Sequence, residues 1–260
     1  MTAAGTGTLV YQWRKDGTDI AGASGSSYTI TAAALSDNGS YDCLVSNDCG
    51  WTISAPATLT VIAPTAAIAD VKLIPDGLPV ALVGKPITFT SANFFYVEET
   101  NRSSGIRVER LDHRLTIGSC ADLVGVLSTN TDSERFISAT SAIGHGTGSA
   151  SAVAMRNSAV CGSDWQFDSD THTGQKGGTS LFGLNNIGLL IKTWGSFTKT
   201  TDTTFVLNDG SGFPITCLVE PPLSLSSSWQ YASVTGVSSI FKVNDTTWSP
   251  RVLVREIHAY

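Results

Sequence analysis

Almost everywhere in this sequence apolar residues alternate with polar ones, or come in short runs closed by Gly, Asn, Asp or Pro. A period of two is the mark of strands with one buried face, and no window carries the 3.6-residue stripe of an amphipathic helix. The chain is therefore expected to be all-β. With 260 residues and 42% hydrophobic content it can bury real cores and suggests two or three domains, which excludes disorder as the main state. The longest apolar runs, such as Leu189–Ile191 and Leu78–Val83, fall far short of the roughly 18 residues that a membrane span needs.

The alternation places candidate strands at Leu9–Arg14, Ser27–Thr31, Gly39–Ser46 and Ala57–Ile62, followed by a linker at Pro64-Thr65-Ala66-Ala67. A first domain is thus expected over residues 1–63. A set of five follows, Ile87–Thr90, Phe94–Glu98, Gly105–Arg110, Ala121–Leu127 and Arg135–Ala139, one small barrel's worth within residues 64–140. Residues 141–186 turn rich in Gly and Ser and read as a bridge. Strands resume over 187–260 at Gly188–Gly195, Thr204–Leu207, Phe213–Val219, Tyr231–Val237 and Arg251–His258. The second set copies the first: Phe94–Val108 aligns with Thr204–Cys217 and Asp122–Thr129 with Ala232–Ser239, at an offset of about 107 to 111 residues. Such self-similarity implies duplicated units, each with its own core.

Sixteen basic against 22 acidic residues give a net charge of −6, and no Lys/Arg run stands out. The basic field behind non-specific nucleic-acid affinity is absent, so that partner is not expected. The opening MTAAGTGTLV lacks the basic and apolar regions of a secretory signal, as a processed chain or a segment of a longer one would. Abundant Ser, Thr, Gly and Ala with few lysines points to an extracellular or cell-surface setting. The five cysteines show no zinc spacing. Cys43 and Cys49 flank Ser46-Asn47-Asp48, a spacing expected to set them opposite each other across a tight hairpin, within disulfide reach. Cys217 reads as a small buried hydrophobe.

The first segment carries Trp13 in YQWRKDG, then LSDNGSYDC over Leu35–Cys43, then a hairpin SNDCGWTIS returning to ATLTV. It resembles a bacterial immunoglobulin-like repeat. The resemblance makes Trp13 the core tryptophan of strand C and Asp37, Gly39, Tyr41 and Cys43 the D-x-G-x-Y-x-C run of strand F, with Tyr41 as its corner. Strands A and most of B have no counterpart, so the sandwich is expected to be incomplete. Either further domains of a longer parent chain precede it, or a strand from another copy fills the slot. The remainder resembles tandem OB-fold barrels of secreted bacterial multidomain proteins: FYVEE with RSSGIRV forms the hairpin of strands 2 and 3, and VTGVSS with RVLVREI supplies strands 4 and 5 of the second barrel.

No G-x-S-x-G elbow occurs, and His113, His145, His172 and His258 stand beside no legible triad, so no catalytic residue is assigned and no cofactor is called for. Asp168, Asp170 and His172 alternate, and on an extended segment all three would face one way toward a hard cation. Adjacent Glu98 and Glu99 would face apart, one of them pairing with Arg102 or Arg107. Phe213, Trp229 and Trp248 are the candidate ligand-binding aromatics, able to stack on sugars, whereas Trp194 and Tyr231 alternate like core. The expected function is non-enzymatic: a structural or adhesive surface component whose open first domain accepts a neighbour's strand, or else a carbohydrate-binding accessory region of a secreted polysaccharide-active enzyme.

Overall fold

A computed structural model describes residues 3–65, 67–221 and 223–260. Strand accounts for 48% of the chain and helix for 4%, so the all-β expectation holds. The chain divides into two compact units, Met1–Ala63 and Pro64–Tyr260. Among the described residues no helix is long and apolar enough to cross a membrane.

The first unit is one sheet of five strands: β1 (Val10–Lys15), β2 (Thr18–Asp19), β3 (Gly39–Asn47), β4 (Gly50–Ile53) and β5 (Ala57–Leu59). The order is β2-β1-β3-β4, with β5 pairing the start of β3. Trp13 stands opposite Cys43 and Tyr11 opposite Val45, so all four share one face. That face is covered by coil. The expected strand Ser27–Thr31 does not form, because no neighbouring strand offers it a ladder. The coil instead meets Trp13, whose Nε1–H donates to the Gly25 carbonyl at 3.0 Å and whose backbone N–H donates to that of Ala23 at 2.9 Å. Tyr28 lies between Trp13 and Tyr41, its ring centroid 6.3 and 6.2 Å from theirs. The Tyr41 hydroxyl donates to the Asp37 carbonyl four residues upstream at 2.9 Å.

The hairpin register overturns the expected Cys43–Cys49 bridge. Asn47 pairs with Gly50 and Leu44 with Ile53, so Cys49 sits in the turn while Ser54 reaches Cys43. Cys43 is buried and Cys49 exposed, and both are free thiols. Six residues apart, Cys43 occupies a β3 position facing Ser54 and Cys49 the turn itself, so the two do not oppose each other.

The second unit contains two closed five-stranded barrels and the segment between them. The first is built from β6 (Pro79–Thr90), β7 (Phe94–Glu98), β8 (Gly105–Glu109), β9 (Cys120–Thr129) and β10 (Arg135–His145). The bridge adds the short strands β11 (Val153–Ala154), β12 (Trp165–Asp168) and β13 (Thr173–Gln175). The second barrel comprises β14 (Leu190–Lys199), β15 (Thr204–Asn208), β16 (Ile215–Val219), β17 (Tyr231–Asn244) and β18 (Thr247–Ala259). Counted from its own first strand, each barrel closes in the order 1-2-3-5-4-1 with a single parallel pairing, β8 with β10 and β16 with β18. This is the connectivity of an OB-like Greek-key barrel.

The duplication reaches into detail. Gly125 on β9 and Gly236 on β17 occupy equivalent places, and a Cβ at either would lie 2.4 or 2.3 Å from a carbonyl oxygen of the next strand. Opposite each glycine the final strand is bulged, which coils the sheet tightly enough to close. Each interior is also plugged from a short helical turn ahead of its first strand: Ile68 and Val71 of α1 (Ile68–Lys72) in the first barrel, Val160 beside the turn Asn157–Ala159 in the second. Cys217 lies buried in the second core, as a small hydrophobe would.

Candidate functional site

On β7 the apolar run Phe94-Phe95-Tyr96-Val97 leaves no polar side. Phe95 and Val97 point into the first barrel, while Phe94 and Tyr96 point out with Phe89 of β6. In an OB barrel that outer side of strands 2 and 3, with the loops after strands 1 and 4, is where ligands are held. Here the second barrel occupies it. Leu190, Val237 and Leu253, which stand in one row across β14, β17 and β18, pack on Phe89 and Tyr96. Each large apolar side chain buried in such a seam contributes about 1.5–3 kcal/mol. Gly105 and Gly188 let the two backbones touch: a Cβ on Gly105 would lie 2.1 Å from the Gly188 carbonyl oxygen, and one on Gly188 2.3 Å from that of Gly105.

The loop after strand 4 of the first barrel joins the same seam. Asn130 Oδ1 accepts the backbone N–H of Asp132 at 3.0 Å and of Glu134 at 2.9 Å, which fixes the turn. Glu134 is buried and accepts from the Tyr96 hydroxyl at 2.7 Å and from the Ser239 hydroxyl at 3.1 Å. Burial raises its pKa, and pushes that of Tyr96 far up. Arg135, 1% exposed, donates to Asp76 at 2.8 Å and Thr129 at 3.1 Å, and also to the carbonyls of Ile74 and His172. These contacts tie α1, the bridge and both barrels together.

Neither Glu98 nor Glu99 forms the ion pair expected with Arg102 or Arg107; Glu98 Oε2 accepts the Leu190 N–H at 2.8 Å across the seam, and its Oε1 has no hydrogen-bond partner among the described residues. Glu99 pairs instead with Lys85 at 2.8 Å, and Arg107 with Glu109 at 3.1 Å, its guanidinium 3.6 Å over the Phe94 ring. Burial first, offset by the Leu190 bond and the charge of Arg102, lifts the Glu98 pKa to about 7. The unfolded carboxyl gives up its proton near pH 4.5, so between there and about pH 7 the folded chain holds the extra proton and stability falls as pH rises. A rise of this size corresponds to about 3 kcal/mol. We expect the urea midpoint to drop from pH 5 to pH 7.5 and the drop to shrink in Glu98→Gln; an unchanged slope in that variant would remove the carboxyl from the explanation. Glu134 acts in the same sense, so some slope remains.

Compared with known proteins, the chain matches no family model and no curated sequence.

The three aromatics expected to bind ligand are split. Phe213 and Trp248 pack on the cluster of Cys161, Leu181, Ile187 and Ile240, whereas Trp229 lies edge-on to Phe197 at 5.4 Å on the second barrel's core. Trp248 belongs to β18, and its ring has the ammonium groups of Lys176 and Lys242 at 4.8 and 5.8 Å. Trp194 and Tyr231, expected inside, are 46% and 60% exposed. Thr193 and Gly195 take the inward positions of β14, with the Thr193 hydroxyl donating to Asn157 at 2.7 Å. On the outer face Trp194, Ser233 and His258 form one row, and Ser196, Tyr231 and Tyr260 the next.

Among the described residues the expected cation site of Asp168, Asp170 and His172 does not form. After β12 the chain turns, with Asp168 Oδ1 accepting the N–H of Asp170 at 2.8 Å and of Thr171 at 3.2 Å, and His172 adopts a left-handed φ of 50°. His172 then faces Asp76 at 3.3 Å, and no metal-holding group of three His, Cys, Asp or Glu exists among the described residues. Asp-Ser-Asp-Thr is turn chemistry, which overrode the assumed extended geometry.

The first unit presents the other candidate surface. Among its described residues only Ala23, Tyr41, Cys43 and Val45 are buried. On the opposite face of the sheet Val10, Ser46 and Trp51 form a row, with Trp51 72% exposed, next to Gln12, Leu44 and Ile53.

Proposed function

We propose that this chain is a non-enzymatic, extracellular interaction protein: a structural or adhesive assembly component whose first unit accepts a β-strand from a neighbouring copy. The observation that carries this reading is the four-residue core of residues 3–63. Ordering a residue costs on the order of 1–2 kcal/mol, and four buried side chains do not offset that over about 60 residues. A donated strand paired with the coil that covers the Trp13–Tyr41 face would turn that cover into the second sheet of a sandwich through main-chain hydrogen bonds and further apolar burial. The Trp13, Tyr41 and Cys43 positions and the Tyr41 hydroxyl bond support an immunoglobulin-like origin for this sheet. The covered face of the first barrel supports a scaffolding use of the barrels and argues against nucleic acid as the partner.

Sedimentation velocity on the full chain over a hundredfold concentration range tests this. We expect species heavier than 27.3 kDa at the upper end, with amide exchange slowing over β1 and β3 as they form. A 27.3 kDa monomer throughout, with unchanged exchange, rejects strand donation.

A second reading, glycan binding, is favoured by the exposed Trp194, Tyr231 and Tyr260 on one outer face of the second barrel, flanked by Ser196, Ser233 and His258 as hydroxyl partners. A monomer whose tryptophan emission shifts with added oligosaccharide, and no longer does so after Trp194→Ala, selects it over the first.

A further inference from the structure

Between α1, the loop after β7 and the bridge lies a cavity of about 620 Å³ that none of the foregoing uses. Such a volume is within the range of about 300–1,000 Å³ that encloses small organic ligands. Its wall is apolar on the bridge side, where Val153, Met155, Phe182 and Leu184 line it. Phe182 and Leu184 stand at 80% and 88% exposure, large apolar side chains held in water with a left-handed glycine, Gly183, between them.

The opposite wall is cationic. Lys72 is a lining residue 3% exposed, and its ammonium donates to the Ile187 carbonyl at 2.9 Å, between the lining residues Asn186 and Leu189. An ammonium has three protons to place, and among the described residues no carboxylate forms an ion pair with this one. Burial lowers its pKa to about 8, against the pull of Glu134 and with the push of Arg135. Arg102, exposed in the loop after β7, is the second cation lining the cavity, and no Asp or Glu lines it at all. In a chain with net charge −6 that is a local reversal of sign.

We propose that this cavity binds a small anionic amphiphile, an acyl chain ending in a carboxylate, with the head group at Lys72 and Arg102 and the tail against Met155, Phe182 and Leu184. The head would supply the direct ion-pair partner that no described carboxylate gives Lys72, and the tail would cover the two exposed rim residues; one molecule does both. Trp165, also in the lining, gives a built-in reporter.

The test is titration of the full chain with monomeric decanoate, followed by calorimetry and tryptophan emission, with decanol and decyltrimethylammonium as uncharged and cationic comparators. Saturable binding near one per chain is expected, weaker by about tenfold or more for decanol and absent for the cation. Lys72→Met, which keeps the volume, is expected to lose about tenfold for decanoate while leaving decanol unchanged, and Arg102→Gln, in an exposed loop, to lose several-fold. Should Lys72→Met fail to fold, Arg102→Gln and Phe182→Ser carry the test. Equal affinity for decanol and decanoate, indifference to these substitutions, or no saturable uptake would each overturn the proposal. None of these outcomes depends on whether the chain assembles.

Discussion

Gly105→Ala is expected to lower the stability of the unit Pro64–Tyr260 by about 3 kcal/mol or more. The new methyl would meet the Gly188 carbonyl oxygen at 2.1 Å, its carbon at 2.6 Å and the Leu189 nitrogen at 3.2 Å, and all three are backbone. No rotamer change relieves a clash with main chain, so the barrels must separate locally. That separation would also break the Glu98 to Leu190 bond and loosen Tyr96 from Leu190 and Val237. At about 2–4 °C per kcal/mol for a unit of this size, the melting transition should fall by roughly 10 °C. Calorimetry reads this directly; a fall of less than 2 °C or so would mean the seam tolerates sliding.

Arg135→Ala should be comparably severe, at about 3–5 kcal/mol. Its guanidinium holds Asp76, 59 residues upstream, together with Thr129 and the carbonyls of Ile74 and His172. Truncation strands those acceptors and leaves a void where the largest side chain fully buried among the described residues had been. Arg135→Met refills most of the volume without donors, so urea midpoints should rank wild type above Met above Ala. Met at wild-type stability would reduce the role of Arg135 to packing. Lysine should not rescue, since one ammonium cannot reproduce a planar fork reaching several acceptors.

The strands themselves were legible because alternation survives in a closed barrel: on β14 the inward Ile191, Thr193, Gly195 and Phe197 keep strict parity. What misled was bulk. Trp194 looks like core, yet its parity is opposite to that of Phe197, and parity decides which face a residue takes. The coupling of the barrels was half visible in Phe94-Phe95-Tyr96-Val97, since a strand apolar on both faces must be covered on both. Nothing local marks Glu134 and Arg135 as buried, for in Thr-Asp-Ser-Glu-Arg they read as a solvated turn. Their partners Asp76, Gln175 and Ser239 arrive from three separate regions of the chain. Lys72 is hidden in the same way: it sits on a five-residue helix, and the carbonyl that holds its ammonium, that of Ile187, lies 115 residues on. Side-chain burial set by distant segments is the information that local pattern does not hold.

Because the sequel barrel sits on the very side where its twin would otherwise greet a guest, neither can be inherited or expressed alone without cost. A cut anywhere in residues 141–186 would strip cover from Phe89, Tyr96 and Glu134 on one fragment and from Leu190, Val237 and Leu253 on the other. Both pieces would emerge adhesive. The smallest portable part of this half of the molecule is the couple, and shuffling it between genes means moving both members at once.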